Sequence, residues 1–248
     1  MFYITKCYML PCNFIPVISF SIPIFFVPLH SERKMKYKAI IFDLDGTLTD
    51  TLEDLCLSTN YALSSCGLPE RHPDEVRRFV GNGVRKLIER AVPADTEPSM
   101  LERCFDAFRS HYIIHCQDHT QLYPGIASLL TALHAKGYRM AVVSNKMQSG
   151  VTELARLFFQ GVIDVAIGEQ PGIPRKPAPD MVQAALAGLG VTAEEAVYVG
   201  DSDVDLQTAA NAGLPCISVL WGFRTREFLI AHGATVFAEH PQDILSLV

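Results

Sequence analysis

Residues 38–48 read Lys-Ala-Ile-Ile-Phe-Asp-Leu-Asp-Gly-Thr-Leu, and this stretch decides the predicted fold. Its first half, from Ala39 to Phe42, is a continuous apolar run, which is typical of a strand buried on both faces of a parallel sheet. Asp43 and Asp45 follow at once, and side chains two residues apart on an extended chain point to the same side. We therefore expect two neighbouring carboxylates at the carboxyl end of a central strand.

The rest of the chain divides into a helical block and a region that alternates between strand and helix patterns. Helices without strands between them are predicted over residues 52–66, 74–80, 84–91 and 100–116. Beyond them, strands are predicted at 139–143, 162–167, 196–199 and 216–220, and helices at 126–135, 149–159, 180–189, 204–211 and 224–232. Such alternation predicts an α/β fold with a doubly wound, Rossmann-like parallel sheet.

The helical block is too long for a loop, so it predicts an inserted α-helical cap domain. We place this cap domain at residues 52–121. The α/β core domain then comprises residues 35–51 and 122–248.

The first 34 residues differ from the rest in composition. Residues 8–29 carry no charge, but four prolines interrupt them, and each interior proline costs a helix about 3 kcal/mol. No small-residue cleavage site follows, as a secretory signal would require. We expect residues 1–34 to lie outside the fold, as the product of a start codon placed too early. A membrane or export element is the alternative, and an intact Met1 in the native protein would contradict the first interpretation.

Composition excludes several classes of protein. The chain has 27 acidic and 21 basic residues, a net charge of −6, and no run of Lys or Arg, which argues against a nucleic-acid partner. The seven cysteines are odd in number and form no close pair, which favours reduced thiols and a cytoplasmic location over a disulfide framework or a zinc site. We expect a monomer or homodimer without stable membrane association.

Polar side chains follow four of the predicted strands, at the sheet edge where ligands of open parallel sheets bind. They are Asp43, Asp45 and Thr47; Ser144 and Asn145; Lys176; and Asp201 with Asp205. Taken singly, each group has a structural explanation: a turn, a helix N-cap or a solvated basic residue. Their occurrence in this order, each behind its own strand, indicates a binding site instead.

The chemistry of the four groups points to a phosphate and a divalent cation. Like charges such as Asp43 and Asp45 are costly to bury together unless a cation or a proton is shared, and a few carboxylates plus water suffice to hold Mg²⁺. A hydroxyl, an amide and backbone N–H groups at a strand end suit phosphate oxygens. A fixed ammonium at Lys176 would neutralise the phosphoryl group.

The ordered groups resemble the four motifs of the haloacid dehalogenase superfamily of hydrolases, and the resemblance covers residues 36–248. The helical insertion is similar to the C1-type cap of that family. Residues 81–87, 144–146, 175–180 and 221–224 resemble the phosphoglycolate phosphatase branch.

The resemblance implies a role for each motif residue. Asp43 would attack phosphorus and form an aspartyl-phosphate, while Asp45 would act as general acid and then as general base. The implied Mg²⁺ ligands are Asp43, the backbone carbonyl of Asp45, and Asp201, with Asp205 as a further ligand or supporting group. The implied phosphate-binding residues are Thr47, Ser144, Asn145 and Lys176, of which Lys176 is also counted as catalytic.

These roles imply a Mg²⁺-dependent phosphomonoester hydrolase for a small phosphorylated metabolite, with 2-phosphoglycolate as the favoured substrate. A sugar-phosphate mutase and another small-metabolite phosphatase of the same fold are the alternatives, because the motifs do not separate them. A non-catalytic binding protein is disfavoured, since every expected catalytic residue is present. In the cap, Asn82, Arg85 and Lys86 are candidates for contact with a substrate carboxylate; alternatively, Arg85 and Lys86 form the solvated face of a helix.

Overall fold

The computed structural model describes residues 36–248, so the predictions for residues 1–34 lie outside the described part of the chain. The elements are, in chain order, β1 (Ala39–Phe42), β2 (Thr49–Asp50), α1 (Leu52–Ser65), α2 (Pro73–Phe79), α3 (Gly83–Ala91), α4 (Pro98–His115), β3 (Gln121–Leu122), α5 (Ile126–Ala135), β4 (Arg139–Met147), α6 (Gln148–Phe158), β5 (Val165–Glu169), α7 (Asp180–Leu189), β6 (Ala196–Gly200), α8 (Asp203–Ala212), β7 (Cys216–Val219), α9 (Arg226–Ala231), β8 (Phe237–Ala238) and α10 (Ile244–Leu247).

Six strands form one parallel sheet in the order β5-β4-β1-β6-β7-β8. Strand β1 lies between β4 and β6, so its carboxyl end is at the centre of one sheet edge. The order reverses at β1, because the chain builds β4 and β5 on one side and β6 to β8 on the other. This confirms the predicted doubly wound α/β fold, and it puts Asp43 at the point where such sheets bind ligands.

The two faces of the sheet are both covered by helices. Ile40 and Phe42 of β1 belong to one apolar cluster, which includes residues of α5 and α6. Ala39 and Ile41 belong to another, which includes residues of α7 and α8. This alternation explains why β1 is a continuous apolar run rather than a polar-apolar one. Burial of each large side chain stabilises the sheet by about 1.5–3 kcal/mol.

Helices α1 to α4 lie between β2 and β3 and share an apolar cluster that includes Leu63, Ile88 and Phe108, and to which the core contributes Phe223. Strands β2 and β3 pair antiparallel, with Thr49 opposite Leu122. The chain therefore leaves and re-enters the core through a two-stranded ribbon. The sequence did not predict this ribbon, since two residues are too few to show a strand pattern. We retain the cap boundaries at 52 and 121 as a proposal.

Several element boundaries differ from the predicted ones. Strand β4 continues to Met147, four residues beyond its predicted end, with a shift of register against β5 between Val143 and Met147. Strand β5 begins at Val165 rather than at residue 162, and α9 begins at Arg226 rather than at residue 224. Strand β8 and helix α10 were not predicted. Between residues 36 and 248, no helix combines the length and the apolar character that crossing a membrane requires.

Candidate active site

Asp43 follows β1 directly and is fixed through one of its two carboxylate oxygens. Its Oδ1 accepts a hydrogen bond from the backbone N–H of Leu44 at 2.7 Å and lies 2.8 Å from Nζ of Lys176. Its Oδ2 accepts no hydrogen bond from any residue between 36 and 248. The side chain is buried yet lines a cavity, so its second oxygen is available to a ligand.

The turn after Asp45 depends on a glycine. Gly46 has a φ of +90°, which a residue with a side chain rarely adopts, and a Cβ there would lie 2.6 Å from Oδ2 of Asp201. The turn can therefore bring the end of β1 against the loop after β6 only because this position has no side chain.

Lys176 lies in the segment before α7 and is almost completely buried. Its Nζ is 2.8 Å from Asp43 Oδ1, 2.8 Å from Asp205 Oδ1 and 3.1 Å from the hydroxyl of Tyr198. Burial alone would lower the pKa of this ammonium, but the attraction of Asp205 and Asp43 outweighs burial and raises the pKa well above its usual value. Lys176 is therefore a fixed positive charge beside Asp43, as predicted from its position after β5.

Asp43, Asp201 and Asp205 form a buried acidic cluster, with one carboxylate oxygen from each lying within 4.8 Å of the others. Burial, and then repulsion from Asp205, raises the pKa of Asp43 well above its usual value. The same two causes raise the pKa of Asp201 to about 7. Such mutual repulsion between hard oxygen donors is what a divalent cation relieves, so the residues fit a magnesium-type ion.

Asp205 differs from its two neighbours because both of its oxygens are already engaged. Oδ1 accepts from Lys176 and Tyr198, and Oδ2 accepts from the backbone N–H and the hydroxyl of Ser202 at 3.1 and 2.6 Å. Ser202 also caps α8, so the helix-cap interpretation and the acidic-cluster interpretation are both correct for this segment. Asp205 was predicted as a further metal ligand or a supporting group, and these contacts favour the supporting role.

Asp45 lines the cavity and contacts a second buried lysine. Its Oδ1 is 3.2 Å from Nζ of Lys146, which also donates to the hydroxyl of Tyr112 on α4. Neither Lys146 nor Tyr112 has a role predicted from the sequence. Lys146 follows Ser144 and Asn145 directly, so its position in that motif could have indicated a place in the site. Tyr112 belongs to a helical pattern, and nothing in that pattern indicates a functional residue.

Asn145 uses its side-chain amide to hold two segments of backbone. Its Oδ1 accepts from the backbone N–H of Lys176 at 2.9 Å, and its Nδ2 donates to the carbonyls of Lys176 and Gly81 at 3.1 and 3.2 Å. The side-chain amide thus positions the Lys176 segment and the Gly81 turn, because its acceptor and donors are taken, and the predicted phosphate contact of Asn145 stays a prediction.

The two predicted phosphate-binding hydroxyls lie in different places. Ser144 lines the cavity beside Asp43 and accepts from the backbone N–H of Lys146 at 3.1 Å. Thr47 is completely buried behind the turn, where its hydroxyl is 3.4 Å from Oδ1 of Asp201. Thr47 therefore contacts the acidic cluster and does not line the cavity, which differs from its predicted phosphate contact.

The three cap residues predicted to meet a substrate carboxylate point elsewhere. Arg85 forms a two-pronged ion pair with Glu102 at 2.7 and 2.6 Å, and Lys86 pairs with Glu89. Asn82 accepts a hydrogen bond from Arg90. None of the three lines the cavity, so the alternative interpretation, a solvated helix face, describes Arg85 and Lys86 better.

The cavity has a volume of about 50 Å³ and lies between the sheet edge and helices α1, α3 and α4. Its floor, from the core, is polar and charged, whereas the wall from the cap is mostly apolar. The lining residues from the core are Asp43, Asp45, Ser144, Asn145, Lys146 and Lys176, and those from the helical insertion are Leu55, Val80, Gly81, Gly83, Val84, Leu87 and Tyr112.

Residues 40–219 match the family described as haloacid dehalogenase-like hydrolase. The chain belongs to this family. It is 35% identical over 187 residues to a phosphoglycolate phosphatase of Aquifex aeolicus, covering 75% of this chain and 86% of the relative. The predicted resemblance to the haloacid dehalogenase-like hydrolases and to their phosphoglycolate phosphatase branch is thereby confirmed.

Solved structures of haloacid dehalogenase-like proteins share the fold over most of the chain. A candidate phosphoglycolate phosphatase of Lactobacillus delbrueckii is 37% identical, with a TM-score of 0.83, covering 86% of this chain and 98% of that one. CbbY of Rhodobacter sphaeroides, solved in complex with xylulose-(1,5)-bisphosphate, is 28% identical with a TM-score of 0.65, covering 83% and 95%.

Proposed function

We propose that the protein is a Mg²⁺-dependent phosphomonoester hydrolase that converts 2-phosphoglycolate and water to glycolate and phosphate. The observation that carries this proposal is the geometry of Asp43, which lines the cavity with its Oδ1 held by Leu44 and Lys176, while its Oδ2 accepts no hydrogen bond from residues 36–248. Similarity to phosphoglycolate phosphatases over most of the chain supports both the reaction and the substrate.

In the first step, Oδ2 of Asp43 attacks phosphorus in line with the leaving oxygen. The phosphorus–oxygen bond of the ester breaks, an aspartyl-phosphate forms, and Asp45 gives its proton to the leaving alkoxide. Asp45 then accepts a proton from the water that attacks the aspartyl-phosphate, which releases inorganic phosphate and restores Asp43. Asp45 is suited to both tasks because it lines the same cavity two residues from the nucleophile.

The divalent ion would be held by Asp43, Asp201 and the backbone carbonyl of Asp45, with Asp205 in support. When bound, Mg²⁺ neutralises the negative charge shared by the carboxylate nucleophile and the phosphate. Lys176 and Ser144 would bind the phosphoryl oxygens from the core side, because both line the cavity beside Asp43. Asn145 keeps Lys176 in place through two hydrogen bonds to its backbone.

A second candidate, a phosphatase or mutase for a larger sugar phosphate, is favoured by the similarity to CbbY. The cavity favours the smaller substrate. The side chains that the cap contributes to its lining are mostly apolar, such as Val84 and Leu87, and are poorly suited to hydrogen-bond the hydroxyl groups of a sugar. The cytoplasmic location and the monomeric or dimeric state expected from the sequence stay predictions.

Phosphate release from a panel of esters tests the proposal. The panel contains 2-phosphoglycolate, hexose phosphates and nucleotides, each with Mg²⁺ and with EDTA. We expect a marked preference for 2-phosphoglycolate that EDTA abolishes. Broad, weak hydrolysis would keep the reaction and remove the substrate assignment, whereas conversion of hexose 1-phosphate to 6-phosphate without net release would favour the mutase.

A further inference from the structure

Lys146 is a second buried ammonium group in the cavity, and the proposed hydrolysis leaves it without a direct task. We propose that Lys146, with Tyr112 beside it, binds a carboxylate of the substrate next to the leaving oxygen. This inference rests on the proposed function and specifies the substrate class: short phosphate esters that carry an acid group on the leaving side.

The contacts of Lys146 leave part of its bonding capacity free. Its side chain is 3% exposed, and its Nζ lies 3.2 Å from Asp45 Oδ1, donates to the Tyr112 hydroxyl and stands 4.8 Å from the centre of the Tyr112 ring. An ammonium group has three N–H donors. Two of them have acceptors within residues 36–248, and no acceptor for the third is found there. Because Lys146 lines the cavity, a ligand can supply the missing acceptor.

The charges around the two lysines are unequal. Lys176 contacts two carboxylates, Asp43 and Asp205, whereas Asp45 is the one carboxylate among residues 36–248 that Lys146 contacts. A buried charge is costly unless it is well paired. An acid group on the substrate would give Lys146 the second anionic partner that Lys176 already has.

The position of Lys146 fits the leaving side of the substrate. Lys176 lies beside Asp43, where the phosphoryl group reacts, and Lys146 lies beside Asp45, which gives its proton to the leaving oxygen. A carboxylate one carbon away from that oxygen therefore falls within reach of Lys146 while the phosphoryl group stays at Asp43.

No other positive charge in the described part of the cavity competes for this role. The lining residues include two cations, Lys146 and Lys176, and the second lies beside Asp43, where it would bind the phosphoryl group. Arg85 and Lys86 are paired with glutamates outside the cavity. The side chains that the cap contributes beside Tyr112 are apolar, so none of them offers a carboxylate a charged partner.

The test compares two esters that differ only in the acid group: 2-phosphoglycolate and 2-hydroxyethyl phosphate. For Lys146→Met we expect the ratio of their kcat/KM values to fall by about ten-fold or more, mainly through a higher KM for 2-phosphoglycolate, since charge-assisted hydrogen bonds contribute on this scale. If Lys146 only positions Asp45, both esters lose equally and the ratio stays constant, which would overturn the proposal.

Two further variants test whether a changed ratio in Lys146→Met reflects damage to the fold rather than loss of the ammonium group. Tyr112→Phe keeps the ring but removes the hydroxyl, and we expect the same ratio to fall by a smaller factor. Lys136→Met removes an exposed lysine outside the cavity and should leave the ratio unchanged. If Lys146→Met does not fold, Lys146→Gln and Tyr112→Phe test the proposal in its place. An unchanged ratio of the two kcat/KM values in both variants would contradict the proposal.

The measurements distinguish failure of the proposed function from failure of the carboxylate site at Lys146. Hydrolysis of neither ester would overturn the proposed function, and the inference with it. Equal hydrolysis of both esters would overturn the carboxylate site alone and leave a phosphatase of different specificity. Hydrolysis of 2-phosphoglycolate that Lys146→Met reduces only in step with 2-hydroxyethyl phosphate would also overturn the site alone.

Discussion

At the scale of single residues, the role of Asp43 gives the sharpest expectation. Asp43→Asn should lower kcat more than about a thousand-fold, because an amide oxygen neither attacks phosphorus nor carries the charge that attracts the ion. The metal-free variant should unfold at the same temperature as wild type or higher, since the burial of a charge and the repulsion from Asp205, which raise the Asp43 pKa, are both removed.

Phosphate-release kinetics and thermal unfolding in EDTA together check the expectation for Asp43→Asn. Retention of more than a few per cent of the wild-type rate would contradict the nucleophile assignment. A large drop in the unfolding temperature would show that the lost rate reflects damage to the fold, and the assignment would then depend on whether Asp43 of the wild-type protein carries the trapped phosphoryl group.

Whether a site residue could be predicted from the sequence depends on which element holds it in place. Asp43, Asp201 and Lys176 were predicted and do meet, because each follows a strand of one parallel sheet and the strand ends converge. Tyr198 was missed, because a tyrosine in an apolar strand pattern shows only its ring as a core residue. Its hydroxyl, 3.1 Å from both Lys176 Nζ and Asp205 Oδ1, becomes visible only when α8 and the Lys176 segment are placed beside β6.

At the scale of elements, the helices and central strands were predicted well and the irregular segments were not. Helices α5 and α7 match their predicted ranges, since their apolar spacing is undisturbed from end to end. The end of β4 was placed four residues early, because Ser144 and Asn145 look like a loop when only their polarity is considered. In the structure, their contacts with neighbouring segments keep them extended.

The attachment of α2 to the core depends on Arg224, which was singled out in the sequence only as part of a family-like motif. Its guanidinium donates to the carbonyls of Arg77 at 2.9 Å and Val80 at 2.6 Å, at the carboxyl end of α2. Its side chain is 10% exposed. Carbonyls at a helix end lack partners within the helix, so a buried cation there both satisfies them and complements the helix dipole.

For Arg224→Met we therefore expect the free energy of unfolding to fall by about 1–3 kcal/mol, the scale of hydrogen bonds to a charged group. KM should rise as well, since Val80 and Gly81, which adjoin these contacts, line the cavity. Denaturant unfolding and steady-state kinetics measure both effects. Arg226→Met, which removes a surface ion pair with Glu239, is the control and should change neither by a comparable amount. Equal stability and KM in the two variants would contradict this role.

At the scale of the whole molecule, the site concentrates negative charge that the fold alone does not balance. Four carboxylates, those of Asp43, Asp45, Asp201 and Asp205, surround the ammonium groups of Lys146 and Lys176. When all are ionised, the excess is two negative charges, which one divalent cation neutralises. The helices and sheet that enclose the cluster remove the water that would otherwise screen it, so stability should depend on both the ion and pH.

This dependence has a definite sign between the unfolded pKa of an aspartate, 3.8, and about 7. Burial, followed by repulsion from Asp205, raises the pKa of Asp201 to about 7, so the folded chain binds a proton there more tightly than the unfolded chain does. Stability from this group is therefore lost as the pH rises from the unfolded pKa through 7. In EDTA, wild type should lose stability relative to Asp201→Asn over this range in denaturant unfolding, and saturating Mg²⁺ should reverse the loss for wild type alone. A constant difference between the two proteins would contradict the charge balance.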